Sequence, residues 1–493
     1  MNLATLLQGI ATPARDVALS DITLDSRAVR PGSVFLACRG ERHHGIDFAQ
    51  AAVGQGAAAI LWEPQEGRSL PELPSQIIVT PVPHLAERAS ELAGRFFGVP
   101  SQQLTVVGIT GTNGKTTSAW LLAQALTACG KPAAYLGTLG AAFAGQLEAG
   151  EFTTPDAVSL QRRLADFRAQ GAACVALEVS SHALTQSRAA AVHFDAAVFT
   201  NLTRDHLDYH GSLEAYAAAK ASLFDAEGLR LRVINADDAV GAALLAREGF
   251  GQAIATSRRT DFLPRAGQPW LHAVDIEPGT TGLRFTLRSS FGEAQVASLL
   301  IGAFNVDNLL AVLGVLVGSG VPLADAVVAL RAITAPPGRM AVQGGGTQPL
   351  VAVDYAHTPD ALEKALLALR AHCTGRLWCV FGCGGDRDTG KRAQMGRIAA
   401  SLADAVIVTD DNPRSEDPAA IVRDILEGLA GHHAVVLHDR AAAIAQAITQ
   451  AAPGDAVLVA GKGHEAFQIV GTERRPFSDG HCVQQALAQR SLA

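Results

Sequence analysis

The chain has 493 residues, 48% of them hydrophobic and 18% charged, with a formal net charge of −7. That balance suits packed globular domains, with length for about three. It excludes the broad basic footprint of a nucleic-acid binder, so an anionic ligand must be held by local donors.

From the amino terminus, MNLATLLQGIATPARDVALSD lacks a basic n-region and a long apolar core, so no signal peptide is expected. Through residue 98, SVFLACRG, AAILWE and QIIVT read as strands and HLAERASELAGRFFGV as an amphipathic helix, with EPQEGRSLPELPS a loop between them. From residue 99 the strand LTVVGIT opens a second unit. CVALEVS, AAVFTNL and LRVINAD continue it, with helices such as SLQRRLADFRAQ between. This unit runs to residue 335 through a hairpin near LHAVDIEPGTTGLRFTLRSS and the helices NVDNLLAVLGVLVGS and LADAVVALRAIT. Its most apolar run, LLAVLGVLVG from Leu309, is too short to span a bilayer.

APPGRM breaks the helical pattern, and strand–helix alternation restarts over 336–493 with PLVAVDYAH, LWCVFGCGG, AVIVTDD, AVVLHD and AVLVAGK, each expected to lead into a helix. The predicted fold class is therefore α/β in three domains. These are a small α/β domain (1–98), a central P-loop mononucleotide-binding α/β domain (99–335) and a Rossmann-like doubly wound domain (336–493). The seven cysteines lack zinc-site spacing, and reduced thiols are expected. The expectation is a cytoplasmic monomer acting on small molecules, with no nucleic-acid or membrane partner.

VVGITGTNGKTT follows a strand and opens a helix, the context a phosphate-binding loop requires. Gly111 and Gly114 let the backbone curl so that the N–H groups of residues 111–117 (Gly111, Thr112, Asn113, Gly114, Lys115, Thr116, Thr117) can face phosphate. Lys115 would reach the β- and γ-phosphates of ATP, and the Thr116 hydroxyl would sit on Mg²⁺. The spacing departs from the strict motif: Ile109 stands where a glycine is wanted, and Gly108 falls one place earlier. No guanine-reading Asn-Lys-x-Asp follows, which favours ATP. Glu178, ending the strand in CVALEVSSHAL, would supply a carboxylate for the metal. In NLTRDHLDYHG, Asp205, His206, Asp208 and His210 suit either a divalent ion or a helix cap. By composition Lys220, in EAYAAAKASLFD, reads as a snorkelling surface lysine.

In the last domain three strand ends carry charged loops: GDRD with Arg387, DDNPR with Asp411, Asn412, Pro413 and Arg414, and GKGHE with Gly461 and Glu465. GKGHE lacks the hydroxyl that follows the P-loop lysine, so a second nucleotide site is not expected. Strand ends of a doubly wound sheet line one crevice. Two guanidinium forks beside two carboxylates suit a zwitterionic ligand.

Taken together, GTNGKTT, EVSSH, NLTRDHLDYHG, GAFNVDN and DNPR resemble the Mur ligases along essentially the whole chain. The resemblance implies an ATP- and Mg²⁺-dependent amide ligase. Its expected substrates are UDP-N-acetylmuramoyl-L-alanyl-D-glutamate and meso-2,6-diaminopimelate, joined through an acyl phosphate. By that match Leu24, Ser26, His43, His44 and Gly45 would hold the UDP-sugar end. Thr153, Thr154, Ser180, Gln186 and Arg188 would hold the dipeptide, and Phe152 stands where Asn is expected. Thr116 and Glu178 would ligate one Mg²⁺, with His206 beside a second. Lys220 would be an N-carboxylated lysine with a metal-binding end, which makes Lys115, His206 and Lys220 the catalytic set. Asn305 and Asn308 would lie on the adenine side, and Arg339 and Asp354 near the nucleotide. Arg387, 411–414, Gly461 and Glu465 would bind the incoming amino acid. The rivals are a relative that adds lysine, another amino acid, or glutamate to folate, a P-loop switch or motor, and a UDP-sugar-binding protein.

Overall fold

The computed structural model describes residues 1–492 apart from 41, 42, 250, 280, 281 and 430. The chain divides into two compact units, Met1–Ala255 and Thr256–Ala493.

The first unit begins with four parallel strands in chain order, Asp21–Thr23, Ser33–Ala37, Ala59–Trp62 and Ile78–Pro81. The helix Leu85–Phe96 buries Leu85, Ala89, Leu92 and Ala93, a single helical stripe. It shares a core with Leu3, Leu6, Ile22, Val34 and Leu36. In the second sheet of this unit, neighbouring strands run parallel in the order Leu231–Asn235, Ala196–Phe199, Thr105–Thr110, Cys174–Glu178, Ala133–Gly137. Two antiparallel strands that the sequence did not announce, Gly140–Phe143 and Gln146–Glu148, extend its edge. Because Thr105–Thr110 lies inside the sheet, its carboxyl end opens beside those of Cys174–Glu178 and Ala196–Phe199, where an open α/β sheet binds ligands.

The second unit carries an antiparallel meander, Trp270–Gly279, Gly282–Ser289 and Gly292–Ser298, with a bulge between Val274 and Glu277. The turn of the expected hairpin, residues 280–281, lies outside the described residues. Beyond the helices Phe304–Gly318 and Leu323–Ala329 comes a six-stranded sheet ordered Ala341–Gly344, Leu350–Asp354, Ala456–Ala460, Leu377–Phe381, Ala405–Val408, Ala434–Val436. All pairs are parallel except the first. Alternate residues of its strands enter opposite cores: Leu377, Cys379 and Phe381 join one, Trp378 and Val380 the other. Helices Pro359–Arg370, Gly390–Leu402 and Pro418–Glu427 cover the first face, and Arg440–Gln450 and Asp479–Leu492 the second. The sheet is doubly wound, as predicted.

One expectation fails here. Ala456–Ala460 does not lead directly into a helix but into an antiparallel hairpin, Phe467–Val470 with Glu473–Pro476. Its two-residue link begins at Gly471, whose φ of +59° is the conformation a tight hairpin turn demands. All seven cysteines are free thiols. Among the described residues no helix is long and apolar enough to cross a membrane.

Candidate active site

In the first unit the strand Thr105–Thr110 runs through the loop 111–114 into the helix Lys115–Ala128. Gly111 has φ +146°, and a Cβ there would lie 1.9 Å from Thr200 Oγ1, so no side chain fits. The loop is pinned from outside: Thr112 N donates to Asn201 O (2.7 Å), Asn113 N to Asn201 Oδ1 (3.0 Å) and Thr200 Oγ1 to Asn113 O (2.6 Å). Lys115 Nζ donates to the carbonyls of Gly111 and Thr112, both at 2.9 Å. The first N–H groups of a helix have no acceptor within it, so a glycine loop at this terminus presents free donors of the kind that suit a phosphate. Gly108, the displaced glycine of the motif, belongs instead to the strand, where a Cβ would strike the Phe194 ring at 2.8 Å. Its role is packing.

Glu178 ends its strand fully buried. Its carboxylate accepts from Tyr135 OH (2.6 Å), Thr138 N (2.9 Å), Thr138 Oγ1 (3.1 Å) and Thr116 Oγ1 (2.9 Å). Thr138 Oγ1 also lies 3.0 Å from Thr153 Oγ1, so hydroxyls link the nucleotide loop to the expected dipeptide residues. Sequence reading missed Tyr135, Gly137 and Thr138. The signal was there, a glycine closing a buried strand and a hydroxyl residue directly after it. At Gly137 a Cβ would fall 2.0 Å from Glu178 Oε1.

Lys220 is not the solvated lysine that composition favours: it is 1% exposed. Nζ donates to Gly111 O at 2.7 Å and lies 4.4 Å from the centre of the Tyr216 ring. Burial, helped by the nearby Lys115 charge, pushes its amine down to about 6. The helix Leu213–Ala221 turns it inward with Tyr216 and Ala219, positions a composition count cannot orient.

His206 adopts the left-handed conformation (φ +51°) and packs its ring 4.9 Å from that of His182. His182 lies 4.1 Å from Tyr209, and His210 Nε2 lies 2.9 Å from Ser181 Oγ. Burial holds His182 and His210 below the usual imidazole value, and the other rings add to the effect. Among the described residues no set of three or more His, Cys, Asp or Glu side chains is arranged to hold a metal ion. The Asp/His motif is thus no preformed cage. The Thr116 hydroxyl beside the Glu178 carboxylate is a pair of hard oxygen donors, which fits Mg²⁺, an ion that takes its remaining ligands from phosphate and water.

A cavity of about 1150 Å³ in the same unit is lined by Leu24, Ser26, His43 and Gly45, together with Arg39 and Arg162, which the sequence had not singled out. His44 does not line it; the ring is buried, with Nδ1 accepting from Ile46 N (3.0 Å) and Nε2 2.9 Å from Glu63 O. Thr154 is buried and donates to Glu178 O (2.8 Å), while Ser180 caps the helix Ser181–Thr185. Arg188 donates from Nε to Gln186 Oε1 (2.9 Å) and from Nη1 to Thr154 O (3.0 Å), and its guanidinium lies 5.7 Å from the Phe152 ring. At this position an aromatic face replaces the polar contact expected of Asn.

In the second unit Asn305 and Asn308 are buried in the first turns of Phe304–Gly318; Asn305 donates to Ile301 O and Asn308 to Asn305 Oδ1, both at 2.7 Å. Arg339 lies over Tyr355 (5.2 Å). Burial raises Asp354 to about 6, although it accepts from Met340 N at 2.8 Å.

The three charged loops of the carboxyl-terminal sheet meet. Arg414 Nη1 donates to Gly385 O (2.7 Å), Ser415 Oγ to Asp386 Oδ1 (2.6 Å) and Asn412 Nδ2 to Glu465 Oε2 (2.8 Å). Arg387 is exposed and pairs with no carboxylate among the described residues. Asp411 and Asn412 are buried, so neither is offered to solvent as the motif suggested. Burial raises the Asp411 carboxyl. Burial acts the same way on Glu465, but hydrogen bonds from Lys462 and Asn412 outweigh it and hold this carboxyl below its usual value.

Three family models match the chain: Mur ligase family, catalytic domain (19–97), Mur ligase middle domain (109–316) and Mur ligase, glutamate ligase domain (338–463). The chain is 50% identical over 475 residues to a Pseudomonas aeruginosa protein named UDP-N-acetylmuramoyl-L-alanyl-D-glutamate–2,6-diaminopimelate ligase, covering 96% of each. It is 50% identical over 486 residues to a protein of that name from Chromobacterium violaceum, covering 98% of this chain and 96% of the relative. A solved structure of a ligase of that name aligns with a TM-score of 0.71 at 36% identity, covering 96% of this chain and 95% of that one.

Proposed function

The chain belongs to the Mur ligase family, and from that footing we propose that it is an ATP-dependent amide ligase of peptidoglycan precursor synthesis. It adds 2,6-diaminopimelate to the D-glutamate γ-carboxylate of UDP-N-acetylmuramoyl-L-alanyl-D-glutamate. The observation that carries this reading is half identity over nearly the full length of relatives bearing that name.

The carboxylate oxygen attacks the γ-phosphorus of ATP in line, ADP leaves, and an acyl phosphate forms. Activation is needed because a carboxylate is a poor electrophile. The amine of the acceptor then attacks the acyl carbon, loses a proton, and phosphate departs. Lys115, first in its helix, neutralises charge that develops on the transferring phosphoryl group. Thr116 and Glu178 would hold Mg²⁺, with His206 and a carboxylated Lys220 nearby; when bound, the ion neutralises phosphate oxygens. Lys220 suits carboxylation because an amine titrating at about 6 is largely free base at neutral pH. Its lone pair can add CO₂, releasing one proton and leaving a carbamate.

Leu24, Ser26, His43 and Gly45 bind the UDP-sugar end within the cavity of about 1150 Å³. Thr153, Thr154, Ser180, Gln186 and Arg188 serve the dipeptide. Asn305, Asn308, Arg339 and Asp354 serve the nucleotide. Arg387 and Arg414 hold the carboxylates of the acceptor, and Glu465 its ammonium group. The chain acts on these small molecules as a cytoplasmic monomer.

Purified protein given ATP, Mg²⁺, the UDP-muramoyl-dipeptide and diaminopimelate should release phosphate only when all are present. Lysine lacks the second carboxylate, so its kcat/KM should be lower by roughly tenfold or more, the worth of one charged hydrogen bond. Phosphate release indifferent to the acceptor would overturn the proposal.

A further inference from the structure

The side chain that ties two of the acceptor loops together, GKGHE and DDNPR, is Lys462. It is among the largest fully buried side chains of the molecule, at 0% exposure. Nζ donates to Asn412 Oδ1 (2.9 Å) and Glu465 Oε2 (2.8 Å) and lies 4.0 Å from Asp411 Oδ1. Asn412 Oδ1 also accepts from Ile469 N (2.9 Å), which fixes which end of the amide is oxygen and turns Nδ2 towards Glu465 Oε2. One carboxylate oxygen of Glu465 therefore takes two donors from the protein. The other, Oε1, accepts no hydrogen bond from the described residues, and the side chain is 23% exposed.

The same cluster sets the backbone of the arginine loop. Gln468 Nε2 donates to Asp411 O (2.7 Å), Arg414 N to Ile469 O (3.1 Å) and Gly471 N to Arg414 O (2.7 Å). Asp411 is framed from the far side by Arg440, itself locked in a fully buried ion pair with Asp479 (2.7 Å). The Gly461 position lets that carboxylate approach: a Cβ there would lie 2.4 Å from Asp411 Oδ2.

We infer that Lys462 is a positioning residue for acceptor recognition: its buried ammonium orients Asn412 and Glu465 so that Glu465 Oε1 meets the ammonium group of the incoming amino acid. This rests on the ligase reading above. Lys462 touches no reacting atom, and the helix-opening hydroxyl of a phosphate loop is absent after it. The downward hold on the Glu465 carboxyl agrees with the geometry. The groups that face Glu465 are Lys462, Asn412, His464, Tyr355 and Asp411, of which only Lys462 and Asn412 hydrogen-bond to it.

The test is full kinetics of Lys462→Met, Glu465→Gln and the double variant in the complete assay, with wild type beside them. Lys462→Met should raise KM for diaminopimelate roughly tenfold to a hundredfold, while KM for ATP and for the UDP-substrate stays within about twofold. The acid limb of kcat/KM for the acceptor should move up by about one pH unit or more, since the carboxylate has lost its main partner. The double variant should be no worse than Glu465→Gln, as expected of residues acting through one another. Equal losses for all three substrates, an unmoved acid limb, or additive losses in the double variant would overturn the inference. Wild type that releases phosphate without regard to acceptor would defeat the ligase reading instead. If Lys462→Met does not fold, the Glu465→Gln acid limb decides: it should disappear, and its persistence would remove Glu465 from the account.

Discussion

The carbonyl of Gly111 accepts from both Lys115 and Lys220, at 2.9 and 2.7 Å, so two amines converge on one oxygen at the edge of the phosphate loop. Lys115 is placed there by its motif, whereas Lys220 arrives from a helix more than a hundred residues away. With its amine at about 6, Lys220 is protonated below that pH and a nucleophile above it. Stripping dissolved CO₂ should therefore lower phosphate release at pH 8, and bicarbonate should restore it. At pH 5 bicarbonate should do little, because the amine holds its proton. A ¹³C-bicarbonate label giving no carbamate resonance at pH 8 would contradict the carboxylated form.

At the scale of elements, strand ends do the positioning. The strand Ala133–Gly137 supplies Tyr135, and Thr138 follows it; both donate to Glu178 at the end of the next strand. The two strands can bring these groups together only because Gly137 has no side chain in the way. Gly137→Ala should cost about 1–3 kcal/mol in urea unfolding, the usual toll of overpacking. It should also reduce turnover more than the stability loss accounts for, by displacing Glu178. Wild-type turnover in a folded Gly137→Ala protein would show that the Glu178 position is not critical. The strand Thr105–Thr110, its glycine loop and the following helix could be read from the sequence because phosphate loops are local: residue type and spacing suffice. The hairpin after Ala456–Ala460 was not foreseen, because the alternation of strand and helix outweighed the short Val-Gly-Thr-Glu turn signal.

At the scale of the whole molecule, each unit builds its own candidate ligand groups: the glycine loop 111–114 and the cavity of about 1150 Å³ in the first, the charged strand-end loops in the second. Saturating UDP-muramoyl-dipeptide should slow amide hydrogen exchange in the segments around residues 21–30, 45–48, 136–141 and 148–163, which contribute lining residues to that cavity. Unchanged exchange there would place the substrate elsewhere. The sequence by itself determined the α/β class, the doubly wound last sheet, the strand–glycine-loop–helix at 105–128 and the family, since periodicity and motif spacing are properties of neighbouring residues. Only the tertiary structure decided that Lys220 is buried, that Asp411 and Asn412 face inward, and that Lys462 joins loops 50 residues apart. The reason is physical: burial and charge pairing arise from contacts between distant segments, and local residue order does not specify which side chains those contacts enclose.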